Sequence, residues 1–225
     1  MNYQVVIPAA GQGKRMNAGK NKQFLEVDGI PLIIHTLRVF ESHSLCAGII
    51  LVINEMEKNE FEELIHKYKI TKVKQVVYGG AERQNSVYNG LKACNKENYV
   101  LVHDGARPFV SHTCIEELIH ATGRTGAATL GVPIKDTIKV VKDGVVSQTL
   151  DRSNLWGIQT PQAFKLDLIL NAHNQAKEED FLGTDDASLM ERTGQQVSIV
   201  MGDYMNIKIT TPEDLIIAES MIKRR

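Results

Sequence analysis

The sequence predicts an α/β fold built on a mostly parallel sheet. Three observations carry this reading. Short β-branched runs alternate with amphipathic stretches, the apolar runs are continuous rather than of period two, and the most polar glycine-marked loops each follow an apolar run. Continuous apolar strands are buried on both faces, and strand–helix alternation implies right-handed crossovers between parallel strands.

The first run is Val5-Val6-Ile7, closed by Pro8-Ala9-Ala10-Gly11. Pro31 opens a helical pattern with Leu32, Ile33, Thr36, Leu37 and Phe40 on one face, the stripe of a core-facing helix. Ile49 to Ile53 is a second strand, followed by an acid-rich helix from Lys58 to Tyr68. Val73 to Tyr78 is a third, ended by Gly79-Gly80 and followed by a helix near Gln84 to Cys94. Tyr99 to Val102 is a fourth, stopped by His103-Asp104-Gly105; a helix near Thr113 to Ala121 then leads into a strand from Ala127 to Val132.

One segment breaks the rhythm. Thr137 to Val141 and Val145 to Leu150 flank Lys142-Asp143-Gly144, and Asp-Gly is a strong hairpin signal. A lone two-stranded arm is marginal in water, so it is expected to pack against something else. After Pro161 come a helix near Leu166 to Ala176, the acidic capped start of another at Thr184-Asp185-Asp186, and a strand from Val197 to Met201. The last helix opens at Thr211-Pro212-Glu213-Asp214, with a Thr cap, Pro at the first helical position and acids in the first turn. No repeat, low-complexity tract or flexible linker interrupts the chain. The expected organisation is a single domain over residues 1–225 with a projecting arm at 137–155.

Composition narrows the function. Of 225 residues, 43% are apolar and 24% charged, an ordinary globular mix. Twenty-six Lys and Arg nearly cancel 27 Asp and Glu, leaving a net charge of −1. That excludes a broad nucleic-acid or anionic-membrane surface, so phosphate chemistry must come from local basic clusters. Cys46, Cys94 and Cys114 form no Cys-x-x-Cys pair, which excludes a disulfide framework and a thiolate zinc site and suits a reducing compartment. The seven histidines contain no His-x-x-x-His pair. The longest clean apolar stretch, Ile49 to Ile53, is far too short to span a bilayer, and the first residues lack the pattern of a signal peptide. A cytoplasmic protein is expected.

Three segments carry chemistry. In Pro8-Ala9-Ala10-Gly11-Gln12-Gly13-Lys14-Arg15-Met16, small residues after a strand let backbone N–H groups approach an anion, while Lys14, Arg15, Lys20 and Lys22 supply charge. It is neither a Walker A loop nor a complete dinucleotide fingerprint, because Met16 stands where the third glycine belongs. Gly-x-Gly-x-Arg-Met with Lys22-Gln23 behind it resembles the signature of nucleotidyltransferases. In Val102-His103-Asp104-Gly105-Ala106-Arg107-Pro108-Phe109, an acid at the end of a buried strand suits a magnesium ion held against phosphates, and Arg107 offers a bidentate fork to an acceptor phosphate. In Gly79-Gly80-Ala81-Glu82-Arg83-Gln84-Asn85-Ser86, paired glycines permit backbone contact with a base or ribose; a glycine turn capping a helix explains those residues nearly as well. Asp185 and Asp186 read as an acidic first helical turn rather than as metal ligands, His103 as a turn residue, and Trp156 and Phe164 as packing residues.

Taken in order, Pro8–Met16, Lys22-Gln23, Gly79–Val87, Val102–Phe109, Val132–Thr137, Asp151-Arg152, Thr160-Pro161-Gln162, Thr184–Ser188 and Asn206-Ile207-Lys208 resemble the 2-C-methyl-D-erythritol 4-phosphate cytidylyltransferase family of the non-mevalonate isoprenoid pathway. The resemblance implies a Rossmann-like, doubly wound fold, a homodimer joined by the arm, and CTP with Mg²⁺. It implies that Ala9, Ala10, Gly11 and Gly13 line the CTP phosphate loop, and that Arg15 and Lys22 are catalytic at the α-phosphate. Gly80, Ala81, Arg83 and Ser86 would contact cytosine and ribose, and Asp104 would bind the metal. Arg107, Thr137, Thr160 and Lys208 would hold the acceptor, with Arg152 entering the partner subunit's site. Two rival readings remain at this point: a cytidylyltransferase for another polyol phosphate such as ribitol 5-phosphate, and a nucleotide-sensing module that retained the fold without turnover.

Overall fold

The computed structural model describes residues 1–11, 21–95 and 98–223. Gly13 and Arg15, with Lys14, Met16 and Lys20, lie outside the described residues.

The alternation read from the sequence is realised nearly element for element. Strand β1 (Tyr3–Pro8) is followed by a short hairpin, β2 (Glu26–Val27) and β3 (Ile30–Pro31), and by helix α1 (Leu32–Ser42). Then come β4 (Cys46–Ile53), α2 (Lys58–Lys67), β5 (Val73–Tyr78), α3 (Arg83–Ala93), β6 (Tyr99–Val102), α4 (His112–Thr125) and β7 (Ala127–Pro133). The arm is β8 (Lys139–Lys142) and β9 (Val145–Thr149). The remaining elements are β10 (Trp156–Lys165), α5 (Leu166–Glu178), α6 (Asp186–Arg192), β11 (Ser198–Met201) and α7 (Pro212–Ile222).

Seven strands form one sheet in the order β11-β7-β10-β6-β1-β4-β5. Strands β6, β1, β4 and β5 run parallel, as do β11 and β7, whereas β10 is antiparallel to both β6 and β7. The alternation of side chains along β1 feeds two cores. Val5 and Ile7 pack with Ile33, Leu37 and Phe40 of α1, Phe61 of α2 and Leu118 of α4 on one face. Val6 packs with Val87 and Leu91 of α3, Ile169 of α5 and Leu189 of α6 on the other. Helices on both faces explain why the strands read as unbroken apolar runs.

Two elements were not read from the sequence. Strand β10 carries Gly157 and Pro161 amid glutamines, a composition that argues against a central strand. The ladder tolerates the proline because pairing with β7 breaks register between Ile158 and Gln162, where Pro161 owes no hydrogen bond. The β2–β3 hairpin turns through Asp28 and Gly29, both at positive φ, as Asp143 and Gly144 do between β8 and β9; the Asp-Gly signal was present at both turns. Pro31 is the cap of α1 rather than its first helical residue. Every residue of β8 and β9 is exposed, and the pair forms a sheet of its own.

Helix α3 approaches the sheet at Gly90, where a Cβ would lie 2.4 Å from Val6 Cγ1 and 2.9 Å from Val52 Cγ2. Alanine would recover about 1 kcal/mol of helix propensity, but overpacking costs about 1–3 kcal/mol. Gly90→Ala is therefore expected to lower the urea midpoint of unfolding; a raised midpoint would mean that α3 can lift off β1 freely.

Candidate active site

Parallel strands align their carboxyl ends, and in open α/β sheets ligands bind beyond that edge. The loops after β1, β4, β5 and β6 meet there around a cavity of about 530 Å³. It is lined by Pro8, Ala10 and Gly11 from the first loop, Asn54 from the second, Gly80 to Arg83 and Ser86 from the third, and Asp104 to Ala106 from the fourth. Lys22, Gln23 and Lys208 complete the wall.

The third loop lies close to the first because it lacks side chains. A Cβ on Gly79 would stand 2.7 Å from Ala10 Cβ, and one on Gly80 would stand 2.5 Å from Asn85 Cβ. Ser86 fixes this turn: its Oγ accepts from the Gly80 N–H (3.1 Å) and donates to the Glu82 carbonyl (3.1 Å). Glu82 caps α3, and its capping box with Asn85 aims Arg83 at the cavity from the first helical position. The glycine pair thus serves close packing of the two loops while leaving backbone exposed on the cavity side.

Asp104 is the electrostatic centre. Its residue is 8% exposed, with Arg83 Nε 3.3 Å from Oδ1 and Lys208 Nζ 2.6 Å from Oδ2. Burial by itself would raise its pKa, but Arg83 and Lys208 overcome that and hold the carboxyl far below the usual carboxylate range. Lys208 arrives because the Ile209 N–H donates to the Ala106 carbonyl (2.9 Å), tying the chain before α7 to the Asp104 loop. The Ile209 carbonyl in turn accepts from Lys22 Nζ (3.2 Å), so one backbone segment orients two cations.

Beneath the floor, the Asp104 N–H donates to Thr160 Oγ1 (3.0 Å), which lies 3.3 Å from His103 Nδ1. His103 Nε2 faces the Arg107 carbonyl at 2.9 Å. A carbonyl only accepts, so Nε2 carries the proton, and Nδ1 is free to accept from the Thr160 hydroxyl. This relay fixes the loop from Asp104 to Arg107. Thr160 and Arg107 do not line the cavity. Arg107 Nη1 donates to the Asn206 carbonyl (2.7 Å), and its buried Nε has no hydrogen-bond partner among the described residues.

Nine of the residues named from the sequence therefore share one cavity: Ala10, Gly11, Lys22, Gly80, Ala81, Arg83, Ser86, Asp104 and Lys208. Ala9 is buried, its N–H donating to the Val52 carbonyl (2.7 Å). Thr137 and Arg152 are exposed on the strands' flanks, with Arg152 donating to the Lys135 carbonyl. Residues not assigned a role beforehand are Gln23, Asn54 and Glu82 on the wall, and Asp186 behind it, 2.8 Å from Arg83 Nη1. Asn54 could have been found by its place directly after a parallel strand.

Comparison with known proteins points to the same chemistry. The sequence profile of 2-C-methyl-D-erythritol 4-phosphate cytidylyltransferase matches residues 3–224. The chain belongs to this family. A Bacillus velezensis protein of that name is 60% identical, over 99% of this chain and 97% of its own length. One from Bacillus licheniformis is 58% identical, over 99% and 96%. A crystal structure of 4-diphosphocytidyl-2C-methyl-D-erythritol synthase from Anaerococcus prevotii superposes with a TM-score of 0.86 at 33% identity, covering 99% of this chain and 96% of that one. The cytidylyltransferase match takes in all the loops that line the cavity and the β8–β9 arm as well.

His103 gives a pH test of the floor relay. It is fully buried, and burial pushes its pKa down to about 4. The folded protein keeps the ring neutral while the unfolded chain takes up a proton near about pH 6.5. Its contribution is complete above that value and is lost as pH falls toward 4, by about 2 kcal/mol at pH 5. The Asp104 contribution persists through this window, being lost only below about pH 3.9. His35 and His43 are also lowered by burial, so the comparison with His103→Gln isolates one ring. Urea unfolding at pH 7 and 5 should show a smaller loss in that variant; equal losses would contradict a neutral His103.

Proposed function

We propose that this chain transfers CMP from CTP to 2-C-methyl-D-erythritol 4-phosphate, releasing pyrophosphate and giving 4-diphosphocytidyl-2-C-methyl-D-erythritol. The observation that carries the mechanism is the pairing of Arg83 and Lys208 with Asp104 in one cavity whose wall also carries Lys22. An acceptor phosphate oxygen attacks the CTP α-phosphorus as pyrophosphate leaves. Both reactants are anions, so the barrier lies in bringing like charges together in line, and fixed cations offset it by positioning and electrostatics. The attacking phosphate is already ionised at neutral pH and needs no general base.

The small-residue loop at Ala10 and Gly11, continuing through Gly13, holds the CTP phosphates, with Ala9 buried behind it as the loop's anchor and Arg15 and Lys22 at the α-phosphate. Gly80, Ala81, Arg83 and Ser86 hold the nucleoside, a reading supported by the exposed backbone of that turn. Lys208 holds the acceptor from the cavity wall, with Thr137 and Arg107 approaching it from outside the wall and Thr160 acting from beneath by fixing the Asp104 loop.

Magnesium suits the donor set. Asp104 presents one carboxylate to the cavity, and among the described residues no cluster of three or more acids, histidines or cysteines forms a complete protein cage. Mg²⁺ is commonly held by one or two carboxylates together with substrate phosphates. Asp104 would hold it there, and the ion would offset phosphate charge.

The arm supports a second copy of the chain as partner. Val140, Val141, Val145 and Val146 are 41–69% exposed on a hairpin that cannot bury them itself, and Arg152 beside it would serve the partner's cavity. No helix among the described residues is long and apolar enough to cross a membrane, which suits a cytoplasmic enzyme drawing on free CTP.

Pyrophosphate release with CTP and Mg²⁺ is expected with methylerythritol phosphate and not with ribitol 5-phosphate; the reverse preference would overturn the acceptor. Lys208→Ala should lower kcat/KM by about 10²-fold or more, and an unchanged value would remove it from the site. Mixed Lys22→Ala and Arg152→Ala subunits should regain activity that neither homodimer has, whereas no recovery would argue against a shared site.

A further inference from the structure

The Thr184–Ser188 segment has no part in the chemistry described so far. Asp185 is accounted for by the helix, since its side chain accepts from the Ser188 N–H as the cap of α6. Asp186 is not. It is 1% exposed and does not line the cavity, yet its Oδ2 lies 2.8 Å from Arg83 Nη1. Arg83, which does line the cavity, is therefore gripped twice: Nε by Asp104 from the cavity floor and Nη1 by Asp186 from behind.

Asp186 is itself held firmly. Gln162 Oε1, on β10, accepts from the Asp186 and Ala187 N–H groups (3.1 and 3.0 Å), while Gln162 Nε2 donates to Asp185 Oδ2 (2.6 Å). His173 Nε2 stands 3.5 Å from Asp186 Oδ1 on its far side, and the His173 ring stacks on Tyr88 (5.6 Å, 14°). Stability alone is a poor reason for such an arrangement, because desolvating a buried ion pair commonly cancels its Coulombic gain. Geometry is a better one. A single contact to Asp104 would leave the guanidinium free to swing on its long stem, whereas two carboxylates on different nitrogens define its plane. The second acid also shares the Arg83 charge, so that Asp104 is not neutralised by Arg83 alone.

We infer that Asp186, backed by His173, is a positioning residue that fixes the Arg83 guanidinium against the nucleotide and thereby sets the affinity for CTP. The inference rests on the reading of the cavity as the CTP site. Asp186→Asn keeps the shape and removes the charge. It should raise the KM for CTP about tenfold or more, the scale of one charged hydrogen bond, with kcat and the acceptor KM changed less than about threefold. In an Arg83→Gln background the same substitution should add little, because its partner is already gone. A folded Asp186→Asn protein with wild-type KM for CTP would overturn the inference, as would an undiminished effect in the Arg83→Gln background. If Asp186→Asn does not fold, Asp186→Glu retains the charge but displaces the carboxylate; a raised KM supports the assignment and a wild-type KM overturns it. CTP titration calorimetry on the wild type separates the two levels. A wild type that neither binds CTP nor turns over fails the function and the inference together, whereas an active wild type with indifferent variants fails the inference alone.

Discussion

A carboxylate 8% exposed at the end of a parallel strand is the constraint around which the active edge is organised. Asp104 cannot remain ionised there without cations, and it takes them from two separate elements: Arg83 from the start of α3 and Lys208 from the segment before α7. Meeting that requirement brings the glycine turn after β5 and the approach to α7 to the same rim. The cavity is thus a consequence of satisfying one buried charge as well as of sheet topology. The anionic ligands of the family's reaction would find Arg83 already oriented at the rim, so that less reorganisation is needed as charge develops.

Strand β10 does the quieter part of this work. Inserted antiparallel between β6 and β7, it delivers Thr160 under the Asp104 backbone and Gln162 under the start of α6. Its irregular stretch, where pairing with β7 lapses between Ile158 and Gln162, leaves Gln159 and Thr160 outside that ladder and available to the floor. Asn206 shows the same economy, its Nδ2 donating to Thr160 O and Gln159 Oε1 while its carbonyl accepts from Arg107. The floor is a hydrogen-bonded polar layer laid across an otherwise apolar sheet.

That difference explains what the sequence could disclose. Strands β1, β4 and β6 were legible because burial on both faces forces continuous apolar runs, the edge strand β5 by its valines and the glycine pair that ends it, and the loops after them because phosphate approach demands small residues and charge. Strand β10 was illegible because Gln159, Thr160 and Gln162 answer to the site and only Ala163 and Phe164 at its end join the core, so its pattern resembles a loop. Asp186 was half legible: the acidic first turn of α6 was anticipated and Asp185 does cap it. The second acid's bond to Arg83, 103 residues away, leaves no local trace. Gly13 and Arg15 lie outside the described residues, so their reading stays with the motif.

The two cations on Asp104 are not equivalent. Arg83 has a side chain 34% exposed and a second acid behind it, whereas Lys208 is 38% exposed and has Asp104 as its one carboxylate contact among the described residues. Releasing Arg83 would strand Asp186, 1% exposed, without its cation, and an uncompensated buried charge costs several kcal/mol. Releasing Lys208 strands nothing, since Asp104 keeps Arg83 and the ammonium, on a flexible stem, is readily rehydrated. An anion entering the cavity therefore draws Lys208 off Asp104, and a metal displaces it there, at far lower cost than either would meet with Arg83. The same asymmetry divides the labour: the arginine is built as fixed architecture, and the lysine as the charge that can move to meet an incoming phosphate.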